Sequence, residues 1–131
     1  MTLVVDASVV VSALTDSGRV GQWAEEILQS DHLVAPHLLP VEVTDVLRRA
    51  ALAGKLSSDL AALAFGDLQA VGVDLYPFSP FASRVWSLRD NVSAYDAWYV
   101  ALAELLGADL ATLDLRIGRA PGIRCSVRTP D

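Results

Sequence analysis

Leu3-Val4-Val5 is a run of apolar, β-favouring residues that ends on a carboxylate, Asp6. Three more acids stand at comparable places. Glu42 follows the turn-like PHLLPVEV, Asp96 lies at the start of the helical SAYDAWYVALAELLG, and Asp114 closes DLATLD. Brought together, four carboxylates would repel and raise one another's pKa values, a penalty that a divalent cation removes. An all-oxygen donor set without a Cys or His framework favours Mg²⁺ or Mn²⁺ over Zn²⁺. The chemistry expected of Asp6, Glu42, Asp96 and Asp114 is therefore that of a hard-cation centre.

Each acid also has a purely structural explanation. Asp6 is suited to cap the helix beginning at Ala7. Ser93-Ala94-Tyr95-Asp96 has the spacing of a capping box, with its acid in the first helical turn. Glu42 would favour the helix dipole, Asp45 could substitute for it one turn on, and Asp114 would cap the segment after it. Capping accounts for each acid singly and predicts no clustering.

The elements that would position them follow from hydrophobic periodicity. A strand at Leu3–Val5 leads into a helix from about Ala7 to Leu14, and Val20, Trp23, Ala24, Ile27 and Leu28 mark a second helix. His32–Ala35 is a strand stopped by Pro36. Val43, Val46, Leu47, Ala50 and Ala51 trace a helical stripe that Gly54 closes. A helix from Ser57 or Ser58 to about Val71 precedes a strand at Val73–Tyr76, and Phe81–Arg89 is helical. Ser93 opens the next helix, which ends near Gly107. Strands follow at Asp109–Thr112 and Ile123–Val127. Short apolar strands alternating with helices imply a single α/β domain over 1–131, an α/β/α sandwich around a mainly parallel sheet of about five strands. Ligands of such sheets bind beyond the carboxyl ends of the strands, the rim where Asp6 and Asp114 are expected.

Composition narrows the class. The chain has 131 residues, is 53% hydrophobic, and carries a net charge of −6. That argues against a general nucleic-acid binder, although nine of the ten basic residues are Arg, suited to bidentate phosphate contacts. No apolar run reaches the roughly 18 residues of a membrane helix, and no basic leader precedes the first strand, so neither a membrane span nor a signal peptide is expected. One cysteine, Cys125, excludes an internal disulfide and fits a reducing, cytoplasmic setting.

LVVDAS, PHLLPVEV and SAYDAWYVALAELLGADLATLD, in this order and over essentially the whole chain, resemble the PIN-domain family, and within it the small VapC-type ribonuclease toxins. Asp6 matches the family's acid at the end of strand one, and Glu42 its helix glutamate. Asp96 matches the third acid, at the head of a D-A-x-x-x-A-x-A helix, and Asp114 the last residue of its T-x-D. Ser8 and Thr112 fall at hydroxyl positions beside the site, where supporting hydrogen bonds are expected. There is one departure. Leu115-Arg116-Ile117-Gly118 follow where many relatives carry another acid or amide, leaving a second metal few direct ligands.

The resemblance implies a metal-dependent endoribonuclease, using Mg²⁺ or Mn²⁺ to hydrolyse a structured RNA such as tRNA or rRNA to 5′-phosphate and 3′-hydroxyl ends. It also implies a homodimer held inactive by a VapB-type antitoxin. Arg116, Arg119 and Arg89 are the best-placed RNA contacts, whereas Arg48, Arg49 and Lys55 are expected toward the far end of their helix. His32 and His37 neighbour no acid motif and are expected to play local roles. Trp86, Trp98, Tyr95, Tyr99, Phe78 and Phe81 are expected mostly in the core, some of them on a dimer face or a groove for an antitoxin segment.

Two other readings compete. A haloacid-dehalogenase-like phosphatase needs a second Asp where Ser8 stands, and a receiver domain needs a late lysine where the chain has only Lys55. A catalytically inactive PIN-like scaffold that only binds a partner is the alternative from another class.

Overall fold

The structure is a computed structural model and describes residues 1–30 and 32–131. Its centre is β1 (Thr2–Val5), whose Leu3, Val4 and Val5 are completely buried. Burial on both faces explains the unbroken apolar run: there is no solvent side for alternating polar residues. The chain then forms α1 (Ala7–Thr15), α2 (Arg19–Leu28), β2 (His32–Pro36), α3 (Leu39–Leu52), α4 (Ser58–Ala70) and β3 (Val73–Tyr76). A 3₁₀ turn at Ser79–Phe81 leads into α5 (Ala82–Ser87), α6 (Ala94–Leu106), β4 (Asp109–Ala111), a second 3₁₀ turn at Ile117–Arg119 and β5 (Val127–Arg128).

All pairings are parallel and the strand order is β3-β2-β1-β4-β5. Val4 pairs with Val34 on one side and Leu110 on the other, and Val5 pairs with Ala111. The chain winds outward from β1 to β3, then crosses back to β4. Right-handed crossovers in opposite directions put α1–α4 on one face and α5–α6 on the other. Contacts agree: α6 packs on β1, β2 and β4, while α1 packs on α2, α3 and α4. The reversal between β1 and β4 is a topological switch point, where such sheets open a crevice.

Local sequence accounts for most boundaries. The Ser57 and Ser93 side chains cap α4 and α6 by accepting from Leu60 N and Asp96 N. Gly107 ends α6 in the left-handed region, φ 61°, which a side chain would strain. Gly21 serves a close approach: a Cβ there would lie 1.7 Å from the Asp16 carbonyl oxygen. α1 and α2 can meet so tightly only with glycine at this position.

Two expected elements differ. The last strand is two residues, Val127–Arg128, not Ile123–Val127. The backbone before it is held by side chains of the helical layer instead. Arg124 N donates to Glu104 Oε2 at 2.7 Å, and Arg84 Nη2 donates to Gly122 O at 2.7 Å. Phe81–Arg89 is not one helix either, because α5 ends at Ser87 and Arg89 lies beyond it.

Candidate active site

Asp6 follows β1 directly and does cap α1, accepting from Val9 N at 3.2 Å through Oδ1. The cap is only part of its environment. Ser8 Oγ donates to the same oxygen at 2.6 Å, and the Thr112 hydroxyl donates to Oδ2 in a very short hydrogen bond. Ser8 Oγ in turn accepts from Leu113 N at 3.1 Å, and Thr112 Oγ1 accepts from Asp114 N at 3.0 Å. The two hydroxyls expected to support the site thus tie the end of β1 to the segment after β4. Capping and site-building turn out to be the same geometry.

The four acids line one cleft of about 830 Å³, walled by α1, the start of α3, the start of α6 and residues 113–114. Asp16 and Asp45 line it too, so six carboxylates and one guanidinium, Arg49, face this space. Burial pushes the Asp6, Glu42 and Asp96 carboxyls above the usual range. Mutual repulsion adds to it: Asp96 acts on Asp6, Asp6 and Asp96 act on Glu42, and Asp114 acts on Asp96. Asp114 differs. The Arg116 side chain pairs with it through both oxygens at 3.1 and 3.0 Å, Arg116 N donates at 2.9 Å, and its carboxyl is held below the usual range.

Among the described residues, no group of three or more His, Cys, Asp or Glu side chains stands close enough together to hold a metal ion in this arrangement. Glu42 Oε1 accepts from the Tyr99 hydroxyl at 2.6 Å, and Asp114 is paired with Arg116. Donor chemistry nevertheless fits a hard divalent cation. The candidate donors are all carboxylate oxygens, and Asp6, Glu42 and Asp96 have no ion-pair partner among the described residues to offset their repulsion.

The expected RNA contacts fare differently. Arg116 is exposed but committed to Asp114, and it lines a second recess with Asn91, Ser93, Asp96 and Asp114. Arg119 is exposed on the nearby 3₁₀ turn and lines neither recess. Arg89 lies 4.5 Å over the Trp86 ring, and it too is outside both recesses. Arg49, expected far from the acids, lines the main cleft and pairs with Asp45 at 3.1 Å. Position 49 is two helical turns from Glu42, and seven residues return a side chain to nearly the same face. His32 bonds Asp74 at 2.5 Å and Thr2 at 3.1 Å, a local role at the strands' other end.

Tyr99 is the residue whose part was missed. It was expected in the core, and it is only 2% exposed, but its hydroxyl donates to Glu42 Oε1 at 2.6 Å. Its spacing of three from Asp96 was the available signal, since i and i+3 share a helix face. Of the other aromatics, Phe81 is buried, while Trp86, Tyr95 and Phe78 are exposed.

Comparisons with known proteins agree with this architecture. The PIN domain family model matches residues 3–123. Ribonuclease VapC1 of Mycobacterium tuberculosis is 41% identical over 126 residues, covering 95% of each chain. Among solved structures, VapBC2 from Rickettsia felis, bound to a DNA fragment from its promoter, superposes with a TM-score of 0.72 at 11% identity over the full length of both chains. VapC20 of Mycobacterium tuberculosis, described as a sarcin-ricin loop cleaving toxin, gives 0.70 at 14% identity over 93% of this chain and 96% of its own.

Proposed function

The chain belongs to the PIN-domain family, in its VapC group, and from that premise we propose that it is a Mg²⁺- or Mn²⁺-dependent endoribonuclease toxin. The observation that carries the reading is the convergence of Asp6, Glu42, Asp96 and Asp114 on one open cleft, three of them in no salt bridge among the described residues. Relatives named ribonuclease, 36–41% identical over nearly the whole chain, support the same reaction.

Asp6 and Asp96 are the direct ligands, with Glu42 and Asp114 completing the set. A cation held by these carboxylates would supply an acidified water and offset charge on the leaving 3′ oxygen, chemistry that would leave 5′-phosphate and 3′-hydroxyl ends. Ser8 and Thr112 orient Asp6 and favour its charged form against the opposing effect of burial, since a carboxylate accepting several hydrogen bonds is stabilised when ionised. Arg116 at the edge of the centre, and Arg119 and Arg89 on the surface outside the cleft, are the groups we assign to phosphate contacts with a longer RNA. An open cleft of this size, not a closed pocket, suits a folded RNA such as tRNA or rRNA, whose loops present splayed bases.

The partners we assign are a second copy of the chain and a VapB-type antitoxin, in keeping with structural neighbours that are VapBC complexes. The exposed Trp86, Tyr95 and Phe78 offer apolar surface for association. Among the described residues no helix is long and apolar enough to cross a membrane, and we place the protein in the cytoplasm with its RNA.

The test is cleavage of total RNA by antitoxin-free protein with Mg²⁺ or Mn²⁺, with EDTA, and with Asp96→Asn. Metal-dependent cleavage that the substitution abolishes is the expected result. Folded, metal-loaded protein that cuts nothing would make it a binding scaffold instead.

A further inference from the structure

We propose that Tyr99 is a positioning residue for the acidic centre, whose buried hydroxyl restrains Glu42 by one oxygen and keeps the other available to a cation. The inference rests on the cation-site reading above and names a residue that this reading does not require.

Glu42 lies in the first turn of α3 and Tyr99 in the second turn of α6, 57 residues apart. Their 2.6 Å hydrogen bond joins two helices that each carry an acid of the quartet. Glu42 is half-buried on a side chain with three torsions, and it is repelled by Asp6 and Asp96. An unrestrained carboxylate in that field lowers its energy by rotating outward to water. The tyrosine opposes that rotation. Its hydroxyl donates to Oε1, and Oε2 has no hydrogen-bond partner among the described residues.

Packing alone would not select tyrosine. The ring is 2% exposed, so phenylalanine would fill the same volume, and a hydroxyl buried there without an acceptor would cost stability. Glu42 is the only acceptor that the hydroxyl has among the described residues. The hydroxyl is explained by the carboxylate it holds. Partners of this kind orient a ligand before the ion arrives, and removing them typically weakens metal affinity by about 10–100-fold.

Calorimetric titration of Mn²⁺ into antitoxin-free protein tests this in four forms: wild type, Tyr99→Phe, Glu42→Gln and the double substitution. Tyr99→Phe is expected to weaken Mn²⁺ binding by about tenfold or more. In the Glu42→Gln background the same change should have no further effect, because the oxygen it positions is no longer a competent ligand. A Tyr99→Phe protein that binds Mn²⁺ within twofold of wild type overturns the proposal. So does a loss that persists undiminished beside Glu42→Gln, since the tyrosine would then act only on the packing. Glu42→Asp tests the same link without touching the core, by withdrawing the carboxylate one methylene from the hydroxyl. It should lose affinity comparably and become insensitive to Tyr99→Phe, and wild-type affinity there would overturn the assignment. Wild-type protein that binds no Mn²⁺ defeats the cation-site reading and this inference together. Binding that ignores Tyr99 defeats the inference alone.

Discussion

Thr112 donates its hydroxyl to Asp6 across 106 residues of sequence, fastening the end of the central strand to the loop that carries Asp114. Thr112 is completely buried, so water cannot replace the bond. Thr112→Val keeps the shape and leaves a buried carboxylate one donor short. We expect a loss of about 1–3 kcal/mol in urea unfolding at neutral pH, the usual cost of an unsatisfied buried polar group. The deficit should shrink as pH falls through the raised folded pKa of Asp6, because the protonated carboxyl carries no charge to be solvated. A pH-independent deficit would mean that Thr112 acts through packing alone.

Asp6, Glu42 and Asp96 all have folded-state pKa values raised above their unfolded ones. Between those values the native state binds more protons than the unfolded state, so stability falls as pH rises. In EDTA the protein should therefore be more stable near pH 4.5 than at pH 7, with the decline set by these three groups and partly opposed by Asp114 and Glu104, whose values are lowered. Saturating Mn²⁺ should reverse the slope, because ligands must be ionised to bind. Urea midpoints from pH 4 to 8 with and without metal would decide it. A flat or rising profile in EDTA contradicts the desolvation of Asp6, Glu42 and Asp96.

Far less of the site than of the fold was legible in the sequence. Strands such as Val73–Tyr76 and helices such as Ser58–Ala70 announce themselves locally, by apolar period and by a capping serine. The four acids were found for a related reason, because each sits where a strand or helix begins or ends. Their partners belong to another class of information. Tyr99 looked like core because it is core, and only the register between α3 and α6 gives its hydroxyl an acceptor. Arg116 is among the best-placed RNA contacts by sequence, and a two-residue turn also brings it onto Asp114. The last strand was misplaced because Glu104, twenty residues away, captures the Arg124 amide. Side-chain claims on the backbone leave no periodic trace.

Arg116 occupies Asp114 where a cation would otherwise compete for it. Its side chain is 89% exposed, so the pair is screened and weak. Arg116→Ala should therefore tighten Mn²⁺ binding by no more than a few-fold, with the gain vanishing at high salt, while RNA cleavage at saturating metal declines. Weaker metal binding in this variant would show that the arginine builds the site and does not compete within it.

The two helical glycines Gly21 and Gly66 make opposite predictions. Gly21→Ala drives a methyl group into the Asp16 carbonyl, a backbone atom that cannot step aside, and should cost about 3 kcal/mol. Gly66, inside α4, has nothing within 4 Å of an added Cβ. Gly66→Ala should stabilise by about 0.5–1 kcal/mol through the entropy of the unfolded chain. Urea midpoints of the two single variants suffice, and similar shifts would contradict the α1–α2 contact.

The parallel pairing of β4 against β1 also sets when the centre exists at all. As a ribosome releases the chain, Asp6 and Glu42 emerge early, but Asp96 arrives only with α6, and Asp6 lacks its Thr112 donor until β4 has docked beside β1. A nascent chain held short of residue 112 thus carries three of its four acids, but neither Asp114 nor the Thr112 donor. For a protein read as a nuclease made amid RNA, that order of assembly is itself a safeguard: the cutting centre is completed only after β4 and Asp114 have emerged.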